Sequence, residues 1–256
     1  MPWTPSSLGD LELRAWKLIE TTPAPGRHAA RNAVFQIERA YGILATDPEM
    51  AVFRLITGEE EAVRAIFHAL QRHNYPNARR LNWQDHRHKA AVVPFIRAIA
   101  DLIAKASFAQ PELGLEKEDG NDVMSVRIKV PGPDGSGHMW LRPKPPLDFL
   151  LEIDGKPHDF RPEIEALLGA VKVAEFEKFV RGRANERNRL LYATEQGLPQ
   201  VTGNVRDVLD AARGRIFTEL AIFLLIDTVN VQQRFVVQAL DAFVRLMDLI
   251  PPEGAP

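Results

Sequence analysis

Val123–Val130 reads VMSVRIKV, and in it Val126, Ile128 and Val130 alternate with Arg127 and Lys129. Apolar side chains at every second position mark a strand with one face turned inward. The chain on either side keeps a different period. In His28–Ala45, Val34, Ile37, Ala40, Tyr41 and Leu44 recur at steps of three and four, the spacing of an amphipathic helix. The period therefore changes from helical to extended in the middle of the chain and changes back again.

Working upstream, Pro48 suits the first turn of a helix that carries Phe53, Ile56, Ala62, Ile66 and Leu70 as far as His73, with Gly58 as an expected bend. Asn74–Asn77 is read as a turn, and Asn82–Phe108 as a further helix kinked at Pro94, which removes a helix hydrogen bond. Before these, a short helix is expected over Leu11–Glu20, stopped by Pro23 and Pro25 and preceded by a loosely ordered lead over 1–10.

Downstream, Pro133–Gly137 reads as a turn and His138–Arg142 as a strand. Leu147–Ile153 and Lys156–Phe160 read as a hairpin around Asp154-Gly155. Helical spacing returns from Pro162, with Ile164, Leu168, Val171, Phe176, Phe179 and Val180 on one side. After a break at Gly197–Gly203, Val205–Leu249 is helical again, long enough to require a bend near Thr228–Val231 or a dimer seam. The expected fold is mainly α, one domain over 1–256. Helices over 28–108 and 162–250 enclose a small antiparallel β insert at 121–160, too small for a core of its own.

Composition narrows the functional classes. The 256 residues are 45% hydrophobic and 26% charged, with a formal net charge of −2. That is ordinary globular chemistry; any nucleic-acid contact would need a local basic patch. The absence of cysteine removes disulfides, thiolate nucleophiles and zinc–thiolate sites, and is compatible with a cytoplasmic setting. The most apolar run, Leu220–Ile226, lies between Glu219 and Asp227 and is too short for a bilayer, so no membrane association is expected. The start of the chain lacks the basic and apolar runs of a signal peptide.

Three places concentrate chemistry. In Thr57–Glu61, Thr57 and Glu60 fit a capping box, whereas Glu60 or Glu61 facing inward would pair with Arg64 one turn on. In Trp83–Lys89, His86 and Lys89 share a helix face. His86 and His88 do not, so they cannot both ligate one metal. Asp85 and His86 with a distant Glu60 could form a carboxylate–histidine metal site, or this could be a solvated helix start. In Glu186–Pro199, the sequence ERNRLLYATEQGLP packs guanidinium, amide and phenol groups into two turns. Arg181, Asn185, Asn188 and Tyr192 form one stripe, and Arg183 and Arg187 a second. Facing a groove, such a helix could grip phosphate through Arg and stack or hydrogen-bond a base through Tyr; facing solvent, it is a basic helix end beside its own negative dipole terminus. No glycine-rich phosphate loop and no Gly-x-Ser-x-Gly elbow is present.

Taken in order, these places resemble the AbiV-type abortive-infection family, a branch of the HEPN superfamily of helical domains. The resemblance rests on Glu60, Glu61 and Arg64, then on Trp83, Asp85, His86 and Lys89, and last on Arg187, Leu191, Tyr192, Gly197 and Pro199. It covers about Arg31–Phe108 and Phe176–Ile226, with the β insert between. The sequence departs from the family in Ala193-Thr194 after Leu-Tyr. It also lacks the histidine that many HEPN ribonucleases place a few residues after an Arg-polar pair such as Arg187-Asn188; Arg80 and His86 satisfy that spacing elsewhere.

The resemblance implies a HEPN-like helical bundle, a cytoplasmic homodimer of antiviral-defence or toxin type that acts on RNA or on a phage or translation protein, without a cofactor or metal. If the chain is a metal-independent ribonuclease, Arg187 would hold the scissile phosphate and Asn188 orient it. His86 or Tyr192 would then move the proton, and Glu60 and Glu61 would fix the basic side chains, Lys89 among them. Two alternatives stay open: a non-catalytic interaction module in which the same residues form a structural polar network, and a helical metalloprotein using Glu60, Glu61, Asp85 and His86.

Overall fold

The structure is a computed structural model; it describes residue 5 and residues 8–107, 111–132, 137–149, 152–153, 156–167, 170–192, 195, 197, 200–201 and 203–250. The fold is mainly helical with a small antiparallel sheet, as the change of period implies. In chain order the first helices are α1 (Asp10–Thr21), α2 (Gly26–Ile43), α3 (Pro48–Arg72) and α4 (His86–Ser107), with a short 3-10 turn at Ala78–Arg80 before α4. After the sheet come α5 (Arg161–Leu167), α6 (Ala170–Leu191), α7 (Val205–Asp227) and α8 (Arg234–Asp248). Among the described residues no helix is long and apolar enough to cross a membrane.

The centre is α3. Asp47 caps it through Met50 N–H, and Pro48 fills its first turn, where a missing N–H costs nothing. Thr57 and Glu60 therefore lie in mid-helix and do not form a capping box; Thr57 Oγ1 instead donates to the Phe53 carbonyl. The helix runs unbroken through Gly58, whose role is close approach. A Cβ there would lie 3.0 Å from Ile216 Cδ1 on α7 and 3.3 Å from the Ala33 carbonyl on α2. Ala29, Ala30, Ala33 and Ala40 on α2 and Ala51, Ala62, Ala65 and Ala69 on α3 are all buried, and a Cβ on Gly26 of α2 would lie 3.7 Å from the Ala65 carbonyl of α3, so these backbones also pack closely.

α7 lies beside α3 and runs the same way: Glu59 meets Arg215 near mid-helix, and Arg72 meets Asp227 at the end, Nε to Oδ1 at 3.0 Å. Phe67, Ile216, Leu220, Phe223 and Leu224 are fully buried between them. The chain breaks between α7 and α8 at the place expected, Thr228–Val231. α4 continues through Pro94 but begins at His86, four residues later than expected. Asn82 and Asp85 use their side chains to hold Gln84 and Arg87 N–H groups ahead of the first turn.

The insert starts earlier than the sequence reading placed it. β1 (Pro111–Glu118) pairs with β2 (Asn121–Pro131), which pairs with β3 (His138–Leu141), all antiparallel. The link between β1 and β2 is Asp119-Gly120, both at positive φ (49° and 82°), the geometry of a two-residue hairpin turn. β1 contains no Val, Ile or Thr, so its own sequence gives little strand signal. The expected Leu147–Phe160 hairpin is reduced to two-residue strands, β4 (Glu152–Ile153) and β5 (Lys156–Pro157). Its ends serve the helices instead. Leu147 N–H donates to Gln233 Oε1 at 2.7 Å, and Phe149 and Phe160 pack edge-on against Phe235. Val126 and Ile128 turn inward, and Arg14 of α1 grips Asp122 at 2.6 Å, so the sheet does pack on the helices.

Of the apolar side expected from Pro162 onward, Ile164 and Val180 are buried and Phe176 is partly so, but Phe179 is 46% exposed. Expectations for 133–136, Asp154-Gly155, Leu168, Ala193, Thr194 and Pro199, and for most of 1–10, fall outside the described residues.

Candidate functional site

Successive residues on a helix project about 100° apart, and α3 uses that angle at Glu59 and Glu60. Glu60 turns toward α4 and α6. Its Oε1 lies 2.8 Å from His86 Nδ1, and its Oε2 takes Lys89 Nζ at 2.8 Å and Arg187 Nη1 at 3.2 Å. His86 and Lys89 reach the same carboxylate because they are one turn apart on α4. Arg187 also lies over the Phe53 ring, 5.0 Å from its centroid.

Burial works against a charged Glu60, but Lys89, with His86, outweighs it and holds the pKa below the ordinary carboxylate value. Lys89 is itself buried, so each ion makes the other tolerable. With Nδ1–H facing the carboxylate, the neutral His86 ring carries its lone pair at Nε2. His86 remains 46% exposed in its side chain. One carboxylate thus orders an imidazole and two permanent cations, leaving net positive charge around it.

Glu59 turns toward α6 and α7. It accepts from Arg183 and from Arg215 Nε, the latter at 2.5 Å, and Arg183 also pairs with Glu186. Burial alone would lower the pKa of Arg183; Glu59 and Glu186 reverse that and raise it. One turn beyond Arg215, Glu219 is 1% exposed with neither carboxylate oxygen hydrogen-bonded in the described structure. Burial first, and then the neighbouring Glu59, push its pKa well up.

The ionic cluster encloses a cavity of only about 20 Å³, and through Val93 and Arg183 it adjoins an open groove of about 670 Å³ lined by α4, α6 and Arg215 in the middle of α7. Arg97, Lys178, Arg183, Arg189 and Arg215 line that groove against two carboxylates, Glu175 and Glu186. Among the described residues, no ion pair involves Arg97, Lys178 or Arg189.

Of the residues singled out in the sequence, Glu60, His86, Lys89 and Arg187 come together. Glu61 does not: it faces away and pairs with Arg64 at 3.5 Å, whose guanidinium lies over Trp83 at 4.3 Å. Asp85 holds Arg87 at 2.6 Å, so it joins neither His86 nor Glu60. Accordingly, no group of three His, Asp or Glu residues among those described could hold a metal ion, and the donor set proposed for a metalloprotein is not assembled. Arg80 pairs with Asp248, apart from His86.

On α6 the two stripes exchange roles. Asn188 is exposed and Tyr192 is 65% exposed, whereas Arg183 and Arg187 point into the bundle. Among the described residues, neither Asn188 nor Tyr192 hydrogen-bonds to the Glu60 cluster.

Sequence reasoning missed Glu59, Arg215 and Glu219. The signal was available for the last two: they are charged residues set among Ile216, Leu220 and Phe223 on an apolar helix, where an unpaired charge is too costly to bury. Compared with protein-family models, curated proteins and solved structures, the chain matches none.

Proposed function

We propose that this chain is a HEPN-like protein of abortive-infection or toxin type that cleaves RNA, with Arg187 and His86 as the reacting pair and Glu60 as their common anchor. The observation that carries this reading is the Glu60 carboxylate, which brings α4 and α6 together so that an arginine and an imidazole stand on opposite oxygens of one group. Arg187 supplies charge for a phosphodiester, and Lys89 adds to the local field. His86 Nε2 removes the proton of the ribose 2′-hydroxyl. The 2′-oxygen then attacks phosphorus and the 5′-oxygen leaves, taking its proton from water. The products are a 2′,3′-cyclic phosphate and a 5′-hydroxyl. No step needs Asn188, Tyr192 or Glu61.

The resemblance brings further expectations: a homodimer, a cytoplasmic setting, and a trigger or target in phage infection or translation. Induced expression of wild type and R187A, with growth and total RNA followed over time, tests the reading in cells. Arrest and RNA fragmentation by wild type alone support it; identical behaviour of the two strains refutes it.

One observation favours a structural reading of the same residues. All four oxygens of Glu59 and Glu60 are already paired, as in networks that hold helices in register. That reading predicts that R187A and H86A lower stability in proportion to any loss of activity.

A further inference from the structure

The helices leave a space where α3, α4, α7 and α8 meet, a cavity of about 140 Å³. Phe67 of α3, Phe95 of α4, Ile222 of α7 and Phe235 and Phe243 of α8 line it, and Leu147 from the segment after β3 completes the wall. Among the described residues, every side chain on that wall is apolar.

Protein interiors pack as densely as organic crystals, and an empty space of this size loses dispersion contacts all around its wall. A larger apolar residue at Ala239 or Val236 of α8, both on the wall, would close it without any change of chemistry. Water is a poor occupant, because a buried water needs several polar partners and no polar side chain faces this space. The cavity is therefore suited to an apolar guest.

We propose that it binds a small uncharged aromatic molecule, about the size of one benzene ring with short substituents. Dry cavities of ~150 Å³ lined by Leu, Ile and Phe take up benzene. The rings of the wall favour an aromatic guest over an alkyl chain. Phe95 and Phe243 meet edge to face with centroids 5.1 Å apart, and Phe235 takes Phe149 and Phe160 in the same way at 5.0 and 5.3 Å. A bound ring extends that arrangement. A charged or strongly polar guest is excluded, since its polar group would be left without a partner. Entry runs between α4 and the segment after β3, where Ile96, Ile99 and Leu147 are only partly buried. Leu147 N–H is already held there by Gln233 Oε1, so a peptide laid across the mouth finds that donor taken.

The site shares no lining residue with the Glu60 cluster. It shares two helices with it: Ile66 follows Val63 by one turn on α3, and Val92 follows Lys89 by one turn on α4. The proposal stands whether or not the chain cleaves RNA.

The test uses the full chain with toluene, phenol and octanoate as probes. Toluene at about ten times its dissociation constant raises the melting midpoint by roughly 3–6 °C. Phenol is of similar size but carries a hydroxyl that the wall cannot pair, and it binds about tenfold more weakly or worse. A239L fills the space and removes the response to toluene. Methyl NMR of isoleucine-labelled wild type locates the guest without relying on a variant: toluene moves Ile66, Ile96, Ile99, Ile222 and Ile226 most. A wild-type midpoint and methyl spectrum unmoved by toluene, shifts centred on other isoleucines, or an equal response in folded A239L would each overturn the inference. Phenol binding as tightly as toluene would place a polar partner in the wall and overturn it too. Octanoate separates the two apolar chemistries: shifts centred on the cavity with octanoate and not with toluene would mean an acyl chain and contradict the aromatic assignment.

Discussion

Glu59 and Glu60 are neighbours in sequence, yet their carboxylates serve different halves of the bundle. Glu59 ties α3 to Arg183 and Arg215, and Glu60 ties it to His86, Lys89 and Arg187. A tandem pair on one helix thus fixes three partner helices at once. Arg183 and Arg187, one turn apart on α6, take one glutamate each, which sets the rotation of α6 against α3.

Removing the second of these anchors should cost more than a surface ion pair does. E60A leaves Lys89 buried without its counter-charge, and the expected loss is roughly 2–4 kcal/mol, below the full cost of breaking a buried pair because His86 and Arg187 can turn to water. Chemical denaturation checks this. An E60A protein as stable as wild type would mean that the cluster does not hold α4 and α6 in place.

Glu219 should make stability depend on pH in the unusual direction for a carboxylate. Its folded pKa lies above the ordinary value of 4.5, so the neutral form is the one the bundle accommodates. Its contribution is fully present below about 4.5 and is lost as pH rises through the folded pKa. Within that window each pH unit should favour E219Q over wild type by about 1.4 kcal/mol. Melting curves of both proteins from pH 4 to 8 provide the measurement; parallel curves would contradict the placement of Glu219.

N188A and Y192F should be nearly silent. Both side chains are exposed, and neither takes part in the Glu60 cluster, so stability should stay within about 0.5 kcal/mol and RNA cleavage should be unchanged. A large loss of cleavage in either variant would return the exposed stripe of α6 to the mechanism.

G58A should destabilise the protein although alanine is the better helix former. The added methyl would sit 3.0 Å from Ile216 Cδ1 and 3.3 Å from the Ala33 carbonyl, where α2, α3 and α7 meet. Overpacking of this kind costs about 1–3 kcal/mol, against a gain of about 1 kcal/mol in helix propensity. The thermal midpoint should therefore fall.

What could be read from the sequence follows the strength of the periodic signal. α2, α3 and the break between α7 and α8 lie where the apolar spacing put them, because long amphipathic helices repeat their pattern over many turns. β1 was missed because PELGLEKE carries no β-branched residue, and the clue lay in Asp119-Gly120 just after it. At the site, Glu60, His86, Lys89 and Arg187 were each visible as chemistry. Which face of α6 turns inward was not visible, since both stripes carry polar groups and a helix with weak apolar bias gives no preference between them. Arg215 and Glu219 stand out as charges beside the apolar residues of α7, but their meeting with Glu59 of α3 is set by tertiary packing, which the sequence of α7 does not show.

The central claim, that Arg187 and His86 act together on RNA, is tested most directly by one rate measurement. Purified wild type, H86A and R187A are incubated with a single-stranded oligoribonucleotide, and initial cleavage rates are recorded with the melting midpoint of each protein. The account predicts cleavage by wild type that leaves a 2′,3′-cyclic phosphate. Either substitution should lower the rate by about a hundredfold or more, with folding retained. Cleavage at the wild-type rate by folded H86A and R187A, or no cleavage by any of the three, would contradict it.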